Sequence, residues 1–208
     1  MGYKVVCISS QDGAHAREVS RRVAEALGFR LIDEDIIADA AVEAGVDKDT
    51  VADVERRKSA IGRLMEKMAA GAVASAPVPP GGGMGPPASD ELRKAIRSAI
   101  DESATSGNAV LVSHAASYAL ADRSDVLRVL VIASEKTRRD RIAAERGVDD
   151  AEAGRMLKRS DAGRADYLKR FYGVGEEQPV HYDLVVNTDK FSAEDAGRLI
   201  VDSVRSEP

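Results

Sequence analysis

At 208 residues and 22.2 kDa, with 44% hydrophobic residues, the chain is long enough for one full α/β core. Its net charge of −5 excludes a general basic footprint for nucleic acid, so any anion must be bound by a local arrangement of groups. No apolar stretch approaches the roughly 18 residues that cross a bilayer, Met1 leads straight into strand-like sequence, and the single Cys7 sits in an apolar run, so a cytoplasmic chain without membrane association or disulfide is expected.

Short apolar runs alternate with longer amphipathic segments, the sequence form of parallel strands joined by crossover helices. Residues 5–8 predict the first strand, with Cys7 in its core. After a turn around Gly13, residues Ala16, Val19, Val23 and Leu27 recur at helical spacing, and Gly28 stands where a C-cap is wanted. The second strand is expected at 29–32, followed by two helices, 33–44 and 47–68, split at Gly45. Residues 69–88 break the pattern with Pro77, Pro79, Pro80, Pro86 and Pro87 around Gly81, Gly82 and Gly83. Such a composition buries too little to offset its ordering entropy, so it predicts a flexible loop inside a single domain spanning 1–208. A plain solvated linker and a substrate-gating lid both fit it. A helix at 91–104, strands at 109–112 and 127–132, helices at 135–146 and 149–172, a strand at 184–186 and a helix at 193–204 complete the chain. The fold class is a three-layer α/β/α with a five-stranded, mostly parallel sheet. Right-handed crossovers place the carboxyl ends of its strands on one rim, where ligands bind.

Phosphate binding at that rim needs backbone N–H groups at the start of the first helix, helped by the helix dipole. Gly13, Ala14, His15, Ala16, Arg17 and Glu18 occupy that place, after Ser9-Ser10-Gln11-Asp12. In the Walker A pattern Gly-x-x-x-x-Gly-Lys-Ser/Thr, Ser10, His15, Ala16 and Arg17 take the four defining positions, so the location rather than the motif is the signal.

Ser9, Gly13, Arg17 and Glu18 match a first loop of the form Ser-Arg-Glu-Tyr-Gly-Ser-Gly-Gly-Arg-Glu-Ile. Ile32-Asp33-Glu34-Asp35-Ile36-Ile37 follows, then Val110-Leu111-Val112-Ser113-His114-Ala115-Ala116-Ser117-Tyr118. Further on, Lys158-Arg159-Ser160-Asp161-Ala162-Gly163-Arg164-Ala165-Asp166-Tyr167 has the pattern Lys-x-x-Asp-x-x-Arg-x-x-Tyr, and Tyr182-Asp183-Leu184-Val185-Val186-Asn187-Thr188 closes the series. In this order and spacing the chain resembles the cytidylate-kinase-like family, a divergent branch of the nucleoside monophosphate kinases, over most of its length outside 69–88. The resemblance implies a P-loop nucleoside-kinase-like fold with a helical lid and an acceptor-side helical hairpin. It also implies ATP-dependent phosphoryl transfer to CMP, dCMP or a similar acceptor, with Mg2+ arriving with ATP. Two departures bear on the site. His15 and Ala16 put side chains where the family has glycines, and His114 replaces an arginine, losing its permanent charge and bidentate fork.

Residues 138–170 hold ten Lys/Arg against seven Asp/Glu, a local excess of +3 in an acidic chain. With the resemblance, Arg159 and Arg164 are expected as lid arginines over the transferring phosphate, Asp161 as the acid that pairs with one of them, and Arg138, Arg139 and Arg141 as secondary candidates. The plain alternative is an exposed, salt-bridged helix. Arg17 is read either as a stand-in for the absent lysine or as a solvent-facing helix residue. Asp33 is read as an acceptor contact or as a helix N-cap, His114 as acceptor-binding, and Asn187 and Thr188 as neighbours of the donor adenine or as a turn. Residues 32–55 carry nine acids against Lys48, which does not steer a phosphate dianion toward that segment. His15, His114 and His181 lack ligand spacing, so no protein metal site is expected. Three functions follow: a nucleoside monophosphate kinase, a catalytically degenerate P-loop-fold protein that binds a nucleotide, phosphate ligand or partner protein in a regulatory role, or a kinase for a different small phosphorylated or hydroxylated acceptor. The expected ligand is a nucleotide or small phosphorylated molecule, with a protein partner or homo-oligomer left open.

Overall fold

The computed structural model describes residues 2–33, 88–113 and 116–206. The helices expected at 33–44 and 47–68, the loop expected at 69–88 and His114 lie outside the described residues, except for Asp33 and Ala88 at the edges. Ala88 is the first residue of a helix rather than the end of a loop.

Five parallel strands form one sheet in the order β2-β3-β1-β4-β5: β1 Val5–Ser10, β2 Arg30–Ile32, β3 Ala109–Val112, β4 Val126–Ile132 and β5 Leu184–Asn187. β1 is central, pairing from Val5↔Ala109 to Ile8↔Val112 on one side and from Val5↔Val126 to Ser10↔Val131 on the other. A sheet covered on both faces needs continuous apolar strands rather than alternating ones. Val5 and Cys7 join Ile100, Leu111 and Leu120 on one face, while Val6 and Ile8 join Val19, Val23 and Ile200 on the other. Cys7 is fully buried, and burial pushes its thiol far above the ordinary range, which suits a core residue and not a nucleophile.

Two helices, α1 (Ala16–Leu27) and α6 (Ala193–Arg205), cover one face. Helices α2 (Ala88–Thr105) and the one-turn α3 (Ala116–Ala119) cover the other, giving the three layers expected. The sequence periodicity does not reveal α3, which is too short to show a helical repeat. α1 stops at Gly28, whose φ of 66° lets its N–H reach back to Ala24 and Glu25 carbonyls. α4 (Glu135–Arg146) and α5 (Asp150–Tyr172) follow β4, capped by Ser134 and Asp149, and share a small core of Ile142, Ala153 and Leu157. α4 starts at the carboxyl end of β4 and α5 packs against it, so the pair stands by the rim formed by the strand ends.

Candidate functional site

The rim is built first by the turn between β1 and α1. Gln11 N–H donates to Val131 O at 3.2 Å and prolongs the β1–β4 ladder by one step; Ala14 N–H donates to Gln11 O at 3.1 Å and closes the turn. Gly13 has φ +79°, and a Cβ built on it lies 2.8 Å from Arg138 O and 3.0 Å from Arg138 Cα, so the loop and the first turn of α4 are in backbone contact there. His15 is also left-handed, at φ 60°, and caps α1 without a side-chain hydrogen bond. The first N–H groups of an α-helix have no partner within the helix. Those of α1 therefore point, uncapped by His15, toward the end of the central strand, where they can receive an anion.

Around this turn the side chains fall into two groups. His15 and Arg17 are exposed, and Arg17 forms no ion pair among the described residues. Glu18 does not pair with Arg17; its carboxylate accepts from Arg22 at 3.0 and 3.3 Å and lies 3.9 Å from His15 Nδ1. Ser20 is buried, with its hydroxyl donating to Ala16 O at 2.6 Å, so it is turned from the rim. Among the described residues, no three or more His, Cys, Asp or Glu side chains are grouped to hold a metal ion.

Arg138 and Arg141 of α4 and Arg164 of α5 lie by the loop and the end of β1, each with a definite partner. Arg138, 2% exposed, donates to both carboxylate oxygens of Asp161 at 3.0 and 2.6 Å, while its Nε has no partner among the described residues. This corrects the expected pairing: Asp161 joins an arginine of the other helix, not Arg159 or Arg164. Burial, with the charge of nearby Asp12, pushes the Asp161 carboxyl above its ordinary range despite Arg138. Arg141 donates to Gly13 O at 3.2 Å and to Thr188, and Arg139 pairs with Asp150 at 2.7 Å. Arg164 is 6% exposed; it pairs with Glu177 and donates to Ser9 Oγ at 3.0 Å, on the carboxyl end of β1. Arg159 lies outside this cluster, on the exposed flank of α5, 3.5 Å from Glu152. The helical repeat separates them: Ala153, Leu157, Ser160, Arg164 and Leu168 form the buried face at steps of three and four, and Arg159 is off it.

Glu177 completes a polar cluster with Tyr182, Tyr118 and His181. Tyr182 donates to Glu177, and its hydroxyl lies 3.5 Å from that of Tyr118, which is 3.1 Å from His181 Nδ1. The Gln178 N–H donates to the same Nδ1 at 3.2 Å, so this nitrogen acts as an acceptor. Burial alone raises the Glu177 carboxyl, but the hydrogen bonds and charge of Arg164, with the Tyr182 hydroxyl, outweigh it and hold the group below its ordinary value. Burial and the Glu177 hydrogen bond push Tyr182 up. Sequence reading missed Glu177: it stands in an irregular Gly-Glu-Glu-Gln stretch, where no periodicity marks it. Tyr118 and Tyr182 stand in the motifs that carry the family resemblance, which imply no role for either.

Asn187 and Thr188 part ways. Asn187 is exposed and accepts from Asp189 N–H at 2.9 Å in the turn after β5, whereas Thr188 is 1% exposed and packed behind the β1–α1 turn. Asp33 is exposed at the end of β2. Ser117 is buried with a hydroxyl that has no partner among the described residues. The rim therefore offers an uncapped helix terminus, backed by Arg138, Arg141 and Arg164. It can hold a phosphate by backbone donors, with arginine side chains close by.

A family model described as the cytidylate kinase-like family matches residues 5–190. A cytidylate kinase of Pyrobaculum arsenaticum is 34% identical over 113 residues, which span 54% of this chain and 60% of that protein. Among solved structures, a protein from Eubacterium ventriosum aligns with a TM-score of 0.66 at 15% identity, over 98% of this chain and 99% of its own. Shikimate kinase from Acinetobacter baumannii, in complex with shikimate, aligns with a TM-score of 0.51 at 14% identity, over 98% and 94%. The fold is that of the P-loop kinases.

Proposed function

This chain belongs to the cytidylate kinase-like family, and from that premise we propose that it transfers the γ-phosphoryl group of MgATP to CMP, dCMP or a similarly built nucleoside monophosphate. The observation that carries the reading is the uncapped N-terminus of α1 at the end of the central strand, with Gly13 pressed against the backbone of Arg138. In this reading an oxygen of the acceptor monophosphate attacks the γ-phosphorus, and the bond to the bridging oxygen of ADP breaks. The loop Gly13, Ala14, His15, Ala16, Arg17 and Glu18 receives the donor phosphates through its N–H groups other than that of Ala14, which is held by Gln11 O and shapes the turn. Arg164 and, on reorientation of its side chain, Arg159 neutralise charge on the moving phosphoryl group, Asp161 orients Arg138, Asn187 borders the donor base, and Asp33 and His114, the latter outside the described residues, are assigned to acceptor binding. Magnesium bound with ATP neutralises charge across its phosphates. Among the described residues, Arg17 takes the position of the Walker hydroxyl and Ser20 is turned to Ala16 O, so in this reading the metal is carried by the nucleotide.

A second reading rests on a specific observation: Arg138 and Arg164 already hold carboxylates, and Asp12 lies beside the loop. That favours a nucleotide-binding regulatory protein. The deciding experiment is ADP formation from MgATP with a panel of nucleoside monophosphates. The kinase reading expects acceptor-dependent ADP, a fall in kcat on the order of 100-fold in Arg164→Ala, and a smaller fall in Arg159→Ala. ATP binding without acceptor-dependent ADP supports the regulatory reading instead.

A further inference from the structure

The loop before α1 carries carbonyl oxygens as well as N–H groups, and a carbonyl turned toward the rim repels the anion that the N–H groups attract. Two of these carbonyls are held from behind. Gly13 O accepts from Arg141 Nη1 at 3.2 Å, and Ala14 O lies 3.2 Å from Thr188 Oγ1. The two holders are joined to each other: Arg141 Nη1 donates to Thr188 Oγ1 at 3.0 Å, and Nη2 to Thr188 O at 2.7 Å. Thr188 is itself fixed, its N–H donating to Ile132 O at 2.8 Å at the end of β4. Because the hydroxyl accepts from Arg141, its single proton is left for Ala14 O or for Ile132 O, also at 3.2 Å. A buried hydroxyl with an arginine on one side and two carbonyls on the other has no freedom to turn without losing a bond.

We infer that Arg141 and Thr188 form a positioning clamp that keeps the Gly13 and Ala14 carbonyls turned toward α4 and β5, and so sets the affinity of the α1 N-terminus for a polyphosphate. Neither residue has to touch the ligand. The inference rests on the α1 N-terminus being the phosphate site, and it gives Arg141 and Thr188 a different task from that of a lid arginine or a base contact. Thr188→Val removes the hydroxyl at nearly constant volume, Thr188→Ser keeps it, and Arg141→Ala removes the other half.

The test is calorimetric binding of inorganic tripolyphosphate to the full chain and these variants, well below the melting temperature of each, with MgATP turnover measured separately. Thr188→Val and Arg141→Ala are expected to weaken tripolyphosphate binding about 10- to 100-fold, the range for residues that orient a binding group from behind. Thr188→Ser recovers most of the loss, and the double variant is no weaker than Arg141→Ala alone, because both act through one clamp. If Arg141→Ala does not fold, the Thr188→Val and Thr188→Ser pair decides. Wild-type affinity in Thr188→Val, additive losses in the double variant, or no tripolyphosphate binding by the wild-type chain overturns the clamp. Tripolyphosphate binding that follows the expected pattern without acceptor-dependent ADP removes the kinase reading and leaves the clamp standing. Turnover with an unchanged KM for ATP in Thr188→Val removes the clamp and leaves the kinase reading.

Discussion

Gly13 answers to two constraints at once. Its φ of +79° lies where an L side chain is strained, and its missing Cβ makes room for the Arg138 backbone. Left-handed φ costs a non-glycine residue about 1–2 kcal/mol, and a Cβ at 2.8 Å from a carbonyl oxygen must displace α4 or the loop. Gly13→Ala is therefore expected to lose about 2 kcal/mol or more, read as a lower urea midpoint at unchanged m-value. His15 has a similar φ of 60° but an exposed side chain, so it carries the strain without the collision. Non-glycine residues held in this region concentrate at functional sites, and His15 lies at the N-terminus of α1. Arg164 shows the same dependence on surroundings: one guanidinium joins α5 to β1 through Ser9 and to the approach of β5 through Glu177.

At the scale of elements, α5 is the decisive piece, because its buried face carries Arg164 and its start decides where that face points. Asp149 caps it, accepting from Glu152 N–H at 2.8 Å, and Glu152 and Asp150 place acidic charge in the first turn, where the helix dipole favours it. Asp149→Ala is expected to cost about 1 kcal/mol, measured by thermal or urea unfolding, and Asp149→Ser to recover most of it. Gly173 ends the helix at φ 67°, its N–H reaching Leu168 and Lys169 carbonyls. The chain after Gly173 brings Glu177 to Arg164, so the length of α5 sets which acid meets which arginine.

For the whole molecule, the Arg164–Glu177 pair links three separate pieces: α5, the segment before β5 and the central strand. Removing one member leaves the other charge buried and unpaired, and Glu177→Gln is expected to lose on the order of 3 kcal/mol at neutral pH. The pH dependence follows from the depressed Glu177 carboxyl. A group with a lower pKa folded than unfolded adds stability above its unfolded value and loses it as pH falls through the folded one. The stability gap between wild type and Glu177→Gln should therefore be widest above the ordinary glutamate range and shrink on acidification, in urea titrations at stepped pH. A gap that is constant with pH, or that widens in acid, removes Glu177 as an ionised partner.

The core strands and the helices α1, α4, α5 and α6 were readable in the chain to within a few residues, because a buried strand and an amphipathic helix each leave a period in the sequence that local chemistry imposes. Gly28 marked the end of α1 for the same local reason. The arginine-rich stretch 138–170 was also legible as charge, but the partner of each arginine was not. Asp161 stands two residues from Arg159 and three from Arg164, yet binds Arg138, 23 positions away, because α4 and α5 pack their apolar faces together and bring those two side chains across. Glu177, Thr188 and Arg141 were likewise set by strand and helix ends meeting from distant parts of the chain. Local period and capping specify the elements; partners across elements are chosen by packing, and only the tertiary structure decided those.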